Sequence, residues 1–244
     1  MERVAIVTGA SRGIGLAIAK RLAHDGFSVV VSGQPDDPDL DQAALQVASL
    51  GFRVLQIAAD VTQDDDVQKL FEQTLLEFGG IDVVVHNAGF MQPASISSDR
   101  ASLDSFDRTM RVNLRGTFLV LAQSAKHVRE RGRIAVMSSS VIAKPGPGYG
   151  AYLSSKAAIE GLMRVTANEM RGRNISVNAI APGPVATEFF LKWKSPEEVD
   201  AIKRLSPFER LGEPEDVAAI VSFLAGPAGA WINGQSVRTN GGFA

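Results

Sequence analysis

Val4-Ala5-Ile6-Val7-Thr8-Gly9-Ala10-Ser11-Arg12-Gly13-Ile14-Gly15-Leu16 decides how this chain folds. The unbroken apolar run Val4–Val7 predicts a strand buried on both faces, since a half-exposed strand would alternate polar and apolar residues. After the glycines, Leu16, Ile18, Ala19 and Leu22 recur with helical period. Strand, tight glycine turn and helix together make the first unit of a parallel α/β sheet. In such a turn the glycines let backbone N–H groups approach a diphosphate, and the helix N-terminus adds partial positive charge. A lone glycine cluster is as often an ordinary turn; here the strand before it and the helix after it support dinucleotide binding.

Downstream, strand and helix patterns alternate without a linker, repeat or low-complexity tract. A second strand, Phe27–Val31, ends at Ser32-Gly33-Gln34, where an acid would bind an adenosine ribose 2′-hydroxyl and repel a 2′-phosphate. No acid stands there, and Arg12 in the glycine turn can pair with a phosphate, so the pattern points to NADP(H) over NAD(H). Asp36 and Asp37 follow Pro35 and read as a solvated acidic loop ahead of a helix from Leu40. A third strand, Phe52–Ala58, leads to Asp60-Val61, where the acid either meets an adenine amino group or caps the turn. Asp64–Asp66 read as first-turn acids of the next helix. Ile81–Val85 is a fourth strand, followed by His86-Asn87-Ala88-Gly89, whose small residues leave room for a ligand at the sheet's carboxyl edge.

A long helix is expected from about Leu103 to Val128, with Asn113 inside it. Asparagine is a poor mid-helix residue, so it is either a tolerated defect or a side chain occupied with a water or backbone group. Arg129, Arg131 and Arg133 read as cations around that helix end. The fifth strand, Arg133–Met137, delivers Ser138-Ser139-Ser140 to the same edge. Ile175–Ile180 is a sixth strand, followed by Ala181-Pro182-Gly183-Pro184-Val185-Ala186-Thr187. The glycine-free, amphipathic segment 188–211 reads as one or two short helices over a pocket. Glu213-Pro214 opens a last helix, and a final strand lies near Gln235–Arg238. The fold class is α/β, a Rossmann-type doubly wound parallel sheet in three layers, with residues 1–244 as one domain.

Between the fifth and sixth strands lies Tyr149-Gly150-Ala151-Tyr152-Leu153-Ser154-Ser155-Lys156. Helical spacing puts Tyr152 and Lys156 on one face, about 5–6 Å apart at Cβ. A free phenol titrates near ~10, and a fixed ammonium beside it favours the phenolate. Such a pair suits proton exchange with an alcohol or carbonyl oxygen.

Composition narrows the alternatives. The 244 residues are 45% hydrophobic and suffice for one large core. Lysine and arginine number 25 against 27 acids, a net charge of −2, which argues against a nucleic-acid surface. With no cysteine there is neither a disulfide framework nor a thiol nucleophile, and His24, His86 and His127 fall on separate elements, so no metal site is expected. No run approaches membrane-spanning length and the first strand leaves no room for a signal sequence, so a cytoplasmic protein is expected.

With these motifs in order, the sequence resembles the short-chain dehydrogenase/reductase family in its single-domain form, over essentially the whole chain. The resemblance implies that Tyr152 exchanges the substrate proton and that Lys156 lowers the phenol pKa and holds the nicotinamide ribose. It also implies that Asn113 holds a water linking Lys156 to solvent. The family's substrate-orienting serine lies thirteen positions before the tyrosine, at Ser139, although Ser140 is one residue away in front of the Pro- and Gly-rich loop 144–148. The cofactor would be held by Gly9, Ser11, Arg12, Gly13, Ile14 and Gly15; by Ser32, Gln34, Asp60 and Val61; by Asn87, Ala88 and Gly89; by Tyr152 and Lys156; and by Pro182, Gly183, Val185 and Thr187.

The implied activity is interconversion of a ketone or aldehyde with an alcohol using NADP(H), on a small-molecule substrate covered by segment 188–211, in a homotetramer. Length and glycine turn most resemble 3-oxoacyl-[acyl-carrier-protein] reductases, though a net charge of −2 offers no basic surface for an acidic carrier. The competing reading is a non-catalytic dinucleotide-binding regulator, which would be expected to have lost the tyrosine or the lysine. An epimerase or dehydratase of the longer relatives would need a substrate domain for which the chain has no spare residues.

Overall fold

The opening run is strand β1 (Arg3–Thr8), buried from Val4 onward. The computed structural model describes residues 2–244. Beside β1 lie β2 (Phe27–Gly33) and β4 (Ile81–His86), and the sheet continues outward through β3 (Val54–Ala58) on one side. On the other side come β5 (Val128–Met137), β6 (Ser176–Pro182) and β7 (Ser236–Thr239). The order is β3-β2-β1-β4-β5-β6-β7 and every pairing is parallel. The chain reverses its direction of travel across the sheet between β1 and β4, and there the carboxyl ends open a crevice.

Two cores explain the apolar runs. Ala5, Val7, Val29, Val31, Val83 and Val85 face α1 (Gly13–His24), α2 (Leu40–Ala48) and α9 (Pro214–Ala225). Their alternates Ile6, Val30, Val84, Ile134 and Val136 face α3 (Asp64–Phe78), α5 (Gly116–His127) and α6 (Gly150–Glu169). Each fully buried Val or Ile contributes roughly 1.5–3 kcal/mol, so neither face tolerates a polar replacement. No helix among the described residues is long and apolar enough to cross a membrane.

The predicted long helix is present but not uniform. It runs as α4 (Arg100–Thr109), a π-helical turn at Met110–Arg115, and α5, with Asn113 in the widened turn. Val128 already belongs to β5, so Arg129 and Arg131 lie in that strand and not at the helix end. Arg129 reaches Asp82 at 3.2 Å and the Gly79 carbonyl at 3.0 Å. Arg173 reaches the end of α5 instead, donating to the carbonyls of Ala125 and Val128, beside Lys126 of the helix's own last turn. The third strand begins at Val54, two residues later than predicted. Segment 188–211 contains α7 (Glu188–Leu191) and α8 (Pro196–Lys203), the latter started by a reciprocal Ser195–Glu198 cap.

Candidate active site

A cavity of about 910 Å³ opens at the carboxyl ends of the strands. One wall is the glycine turn. Gly9 and Gly13 have left-handed backbone, φ +61° and +53°, which side chains adopt only under strain. A Cβ on Gly9 would sit 2.8 Å from the Ala88 Cα, and one on Gly15 only 2.0 Å from the Gly9 carbonyl oxygen. Asn87 locks the two loops together, its amide donating to the carbonyls of Thr8 at 3.2 Å and Gly9 at 2.8 Å. No side chain caps the start of α1, so the first-turn N–H groups of this helix stay open towards the cavity, where Gly13 and Ile14 form part of the lining. That is the arrangement an anionic diphosphate requires.

Behind this wall His86 is fully buried, and its Nδ1 lies 2.9 Å from Thr8 Oγ1. Thr8 Oγ1 also accepts from the N–H groups of Asn87 and Ala88, so its one hydrogen goes to His86 Nδ1 and the ring carries its proton on Nε2. Burial, with the nearby charge of Lys156, pushes His86 down to about 3 and keeps it neutral.

The adenosine end differs from the sequence expectation. Asp37 is not a solvated loop acid: it accepts from Ser11 Oγ at 2.6 Å and pairs with the Arg12 guanidinium. Arg12 also lies 3.2 Å from Asp39 and 3.9 Å from Glu188. Burial works to raise the Asp37 carboxyl, but hydrogen bonds from Ser11 and the Asp39 N–H, together with Arg12, hold it below its ordinary value. Asp60 takes the second of its two expected roles, accepting from the Thr62 N–H at 2.9 Å. Asp66, among the expected first-turn acids, accepts from the Asp60 N–H at 3.1 Å.

At the other end, α6 presents Tyr152 and, one turn on, Lys156. The Lys156 ammonium lies 5.6 Å from the Tyr152 ring centre and donates to the Met137 carbonyl at 2.6 Å. The expected lowering of the phenol is not found. Burial pushes Tyr152 up to about 12, the Ser139 hydroxyl lowers it and Tyr149 raises it, while Lys156 itself is pushed down to about 8 by burial. Desolvation therefore sets the direction of both shifts.

Of the two candidate serines, Ser139 is the one beside the Tyr152 hydroxyl. Ser140 is committed elsewhere, donating to the Ala181 carbonyl and accepting from Asn240, both at 3.0 Å. Ser138 donates to Glu160 at 2.7 Å. Asn113 is occupied as expected of a mid-helix asparagine with a partner. Its Oδ1 accepts from the Phe90 N–H at 2.7 Å, and its Nδ2 donates to the Phe90 carbonyl and to Ser155.

The expected site residues thus divide into lining and support. Gly9, Ser11, Arg12, Gly13, Ile14, Gln34, Val61, Asn87, Ala88, Gly89, Ser139, Tyr152, Lys156, Pro182, Gly183, Val185 and Thr187 line the cavity. Gly15, Ser32, Asp60 and Asn113 do not; they stand behind its walls, and Gly33 lines in place of Ser32. Asp37, Tyr149 and Lys194 are among the lining residues that the sequence reading did not assign to the site. For Asp37 a signal existed, an acid a few residues past a strand end that faces an arginine in the glycine turn.

A doubly wound sheet with an uncapped glycine turn after its first strand and a half-buried tyrosine beside a buried lysine at the same edge defines an oxidoreductase of the Rossmann type. A family model described as enoyl-(acyl carrier protein) reductase matches residues 9–244. A short-chain type dehydrogenase/reductase of Picea abies is 44% identical over 98% of this chain and 92% of its own. The NADPH-dependent aldehyde reductase-like protein, chloroplastic, of Arabidopsis thaliana is 38% identical over 99% of this chain and 94% of its own. Among solved structures, a short-chain dehydrogenase from Burkholderia cenocepacia in complex with NADP superposes with a TM-score of 0.92 at 34% identity, covering 99% of this chain and 97% of its own. The chain belongs to the short-chain dehydrogenase/reductase family and is an enzyme of that kind.

Proposed function

We propose that this enzyme reduces an aldehyde or ketone with NADPH, and oxidises the corresponding alcohol in reverse, with Tyr152 as the proton donor. The observation that carries this is the Tyr152 hydroxyl, beside Ser139 and one helical turn from Lys156, in one cavity with an uncapped glycine turn. The names of the Arabidopsis and Burkholderia relatives support the NADP(H) reading.

The chain fits a dinucleotide through the crowded glycine cradle, where any Cβ on Gly9 or Gly15 would clash. Gly9, Ser11, Gly13 and Ile14 would face the diphosphate, Arg12 a 2′-phosphate, and Lys156 with Asn87, Ala88 and Gly89 the nicotinamide half. When bound, the cofactor supplies hydride chemistry. Ser139 donates a hydrogen bond to the carbonyl oxygen and so fixes which face of the substrate is presented. Tyr152, protonated at neutral pH because burial holds it near about 12, gives its proton to that oxygen as negative charge develops there. Lys156 stabilises the phenolate that remains. A Cβ on Gly89 would lie 3.6 Å from Asn113 Oδ1 and 3.7 Å from Lys156 Nζ, so this glycine keeps a gap between them, which supports a water there to return the proton.

Leu103, Phe106, Phe118 and Val165 are exposed on α4, α5 and α6. They support the homotetramer, with these helices paired across subunits; a monomeric mass by light scattering would contradict it.

The test is oxidation of NADPH and NADH against a panel of aldehydes and ketones. Turnover with kcat/KM at least tenfold higher for NADPH is expected. No turnover of any carbonyl, or a preference for NADH, would overturn the corresponding part of the proposal.

A further inference from the structure

Charge is distributed unevenly around the cavity. Its acids, Asp36, Asp37 and Glu188, lie with Arg12 at the adenosine end. On the side of Tyr152 the charged lining residues are lysines. Lys194, half-buried in the turn between α7 and α8, has no carboxylate within ion-pairing distance among the described residues. Its ammonium donates instead to the Tyr149 hydroxyl at 2.9 Å and is held 5.4 Å from the Tyr149 ring centre and 5.3 Å from that of Phe190. A cation partly withdrawn from water, fixed by the Tyr149 hydroxyl beside the Phe190 ring but facing no anion, is poised for an anionic ligand.

The hydroxyl strengthens the case. Because the Tyr149 oxygen accepts from Lys194, its own hydrogen is left for another acceptor, which puts two donors side by side. Tyr149 stands three residues before Tyr152, with the rings edge-on and their centres 6.4 Å apart. An anion held by Tyr149 and Lys194 would therefore share the cavity wall with Tyr152. Lys192, also in the lining, adds to the positive field at the entrance.

Resting on the reductase reading above, we infer that Tyr149 and Lys194 form an anion subsite, and that the preferred substrate is a carbonyl compound that also carries a carboxylate or similar compact anionic group. The two donors set specificity by charge-assisted hydrogen bonding, and the lysines speed encounter with anions.

The test compares 4-(hydroxymethyl)benzoate with its methyl ester by calorimetric titration of the NADP⁺-saturated protein, and 4-carboxybenzaldehyde with its methyl ester in turnover. The carboxylate is expected to bind roughly tenfold to a hundredfold tighter than the ester, the range of a charge-assisted hydrogen bond. That ratio should fall to within twofold in Lys194→Met, fall partway in Tyr149→Phe, and persist in Lys203→Met, whose lysine is already paired with Asp200 at 2.9 Å. Equal affinity of acid and ester in the unmodified protein, no measurable binding of either, or a preference that survives Lys194→Met would overturn the inference. So would an equal loss of NADP⁺ affinity in Lys194→Met, since the lysine would then serve the cofactor. If neither aldehyde turns over but the binding difference follows Lys194, the reductase reading fails and the anion subsite stands.

Discussion

Replacing Asp37 with asparagine should tighten NADP⁺ binding. Arg12 is the cation we propose to meet a 2′-phosphate, yet Asp37 and Asp39 already pair with it. A bound phosphate must share or displace those carboxylates. Two unit charges about 5 Å apart interact by about 0.8 kcal/mol at the dielectric of water and about 3 kcal/mol at an effective value near ~20. The Arg12 side chain is 48% exposed, which favours the lower end. Removing the Asp37 charge while keeping its shape and its bond from Ser11 should therefore strengthen NADP⁺ binding by about 1.4 kcal/mol, roughly tenfold. NAD⁺, which lacks the phosphate, should change by less than about threefold by the same Coulomb argument. Calorimetric titration of both nucleotides at low and high salt reads this directly, and the gain should shrink as salt rises. An unchanged or weakened NADP⁺ affinity in Asp37→Asn would refute the claim that Asp37 competes for Arg12.

Other consequences concern stability. His86 is held neutral with its pKa near about 3 against an ordinary 6.5, so between those values the unfolded chain binds the extra proton. Stability should fall by on the order of a few kcal/mol as pH drops through that window. Urea midpoints from pH 4 to 7 should show a shallower fall in His86→Gln, and parallel curves would contradict this. Gly15→Ala should cost at least roughly 1–3 kcal/mol through overpacking, because its Cβ would lie 2.0 Å from the Gly9 carbonyl oxygen. It should also abolish NADP⁺ binding; an unchanged melting temperature would show that the turn yields. Lys156, lowered to about 8 from 10.5, makes stability rise with pH across that interval. Tyr152, raised from 10 to about 12, reverses the slope above pH 10. Thermal melts of Lys156→Met should lose the rise and keep the fall.

The frame was legible in the sequence because burial on both faces writes unbroken runs such as Val29–Val31 and Val83–Val85. The glycine turn was legible because only glycine fits so close to Ala88. The short helices over the cavity could be read from the amphipathic pattern of 188–211. What could not be read depends on distant partners. Asp37 looks like a loop acid until the fold brings Arg12 to it, 25 residues away. The register of β5 turns Arg129 from a helix-end cation into a partner of Asp82. Helical spacing correctly put Tyr152 beside Lys156, but the direction of the phenol's shift depends on how dry the site is, which no spacing reveals. The Tyr149–Lys194 contact joins residues 45 apart across a loop with no local signature.

The most direct test of the account is Tyr152→Phe, read in two ways on one preparation. The variant should bind NADP⁺ within about twofold of the unmodified enzyme while kcat/KM for carbonyl reduction falls by at least roughly a hundredfold, the contribution expected of a positioned proton donor. Carbonyl reduction at a near-unmodified rate in Tyr152→Phe would show that the proton comes from elsewhere.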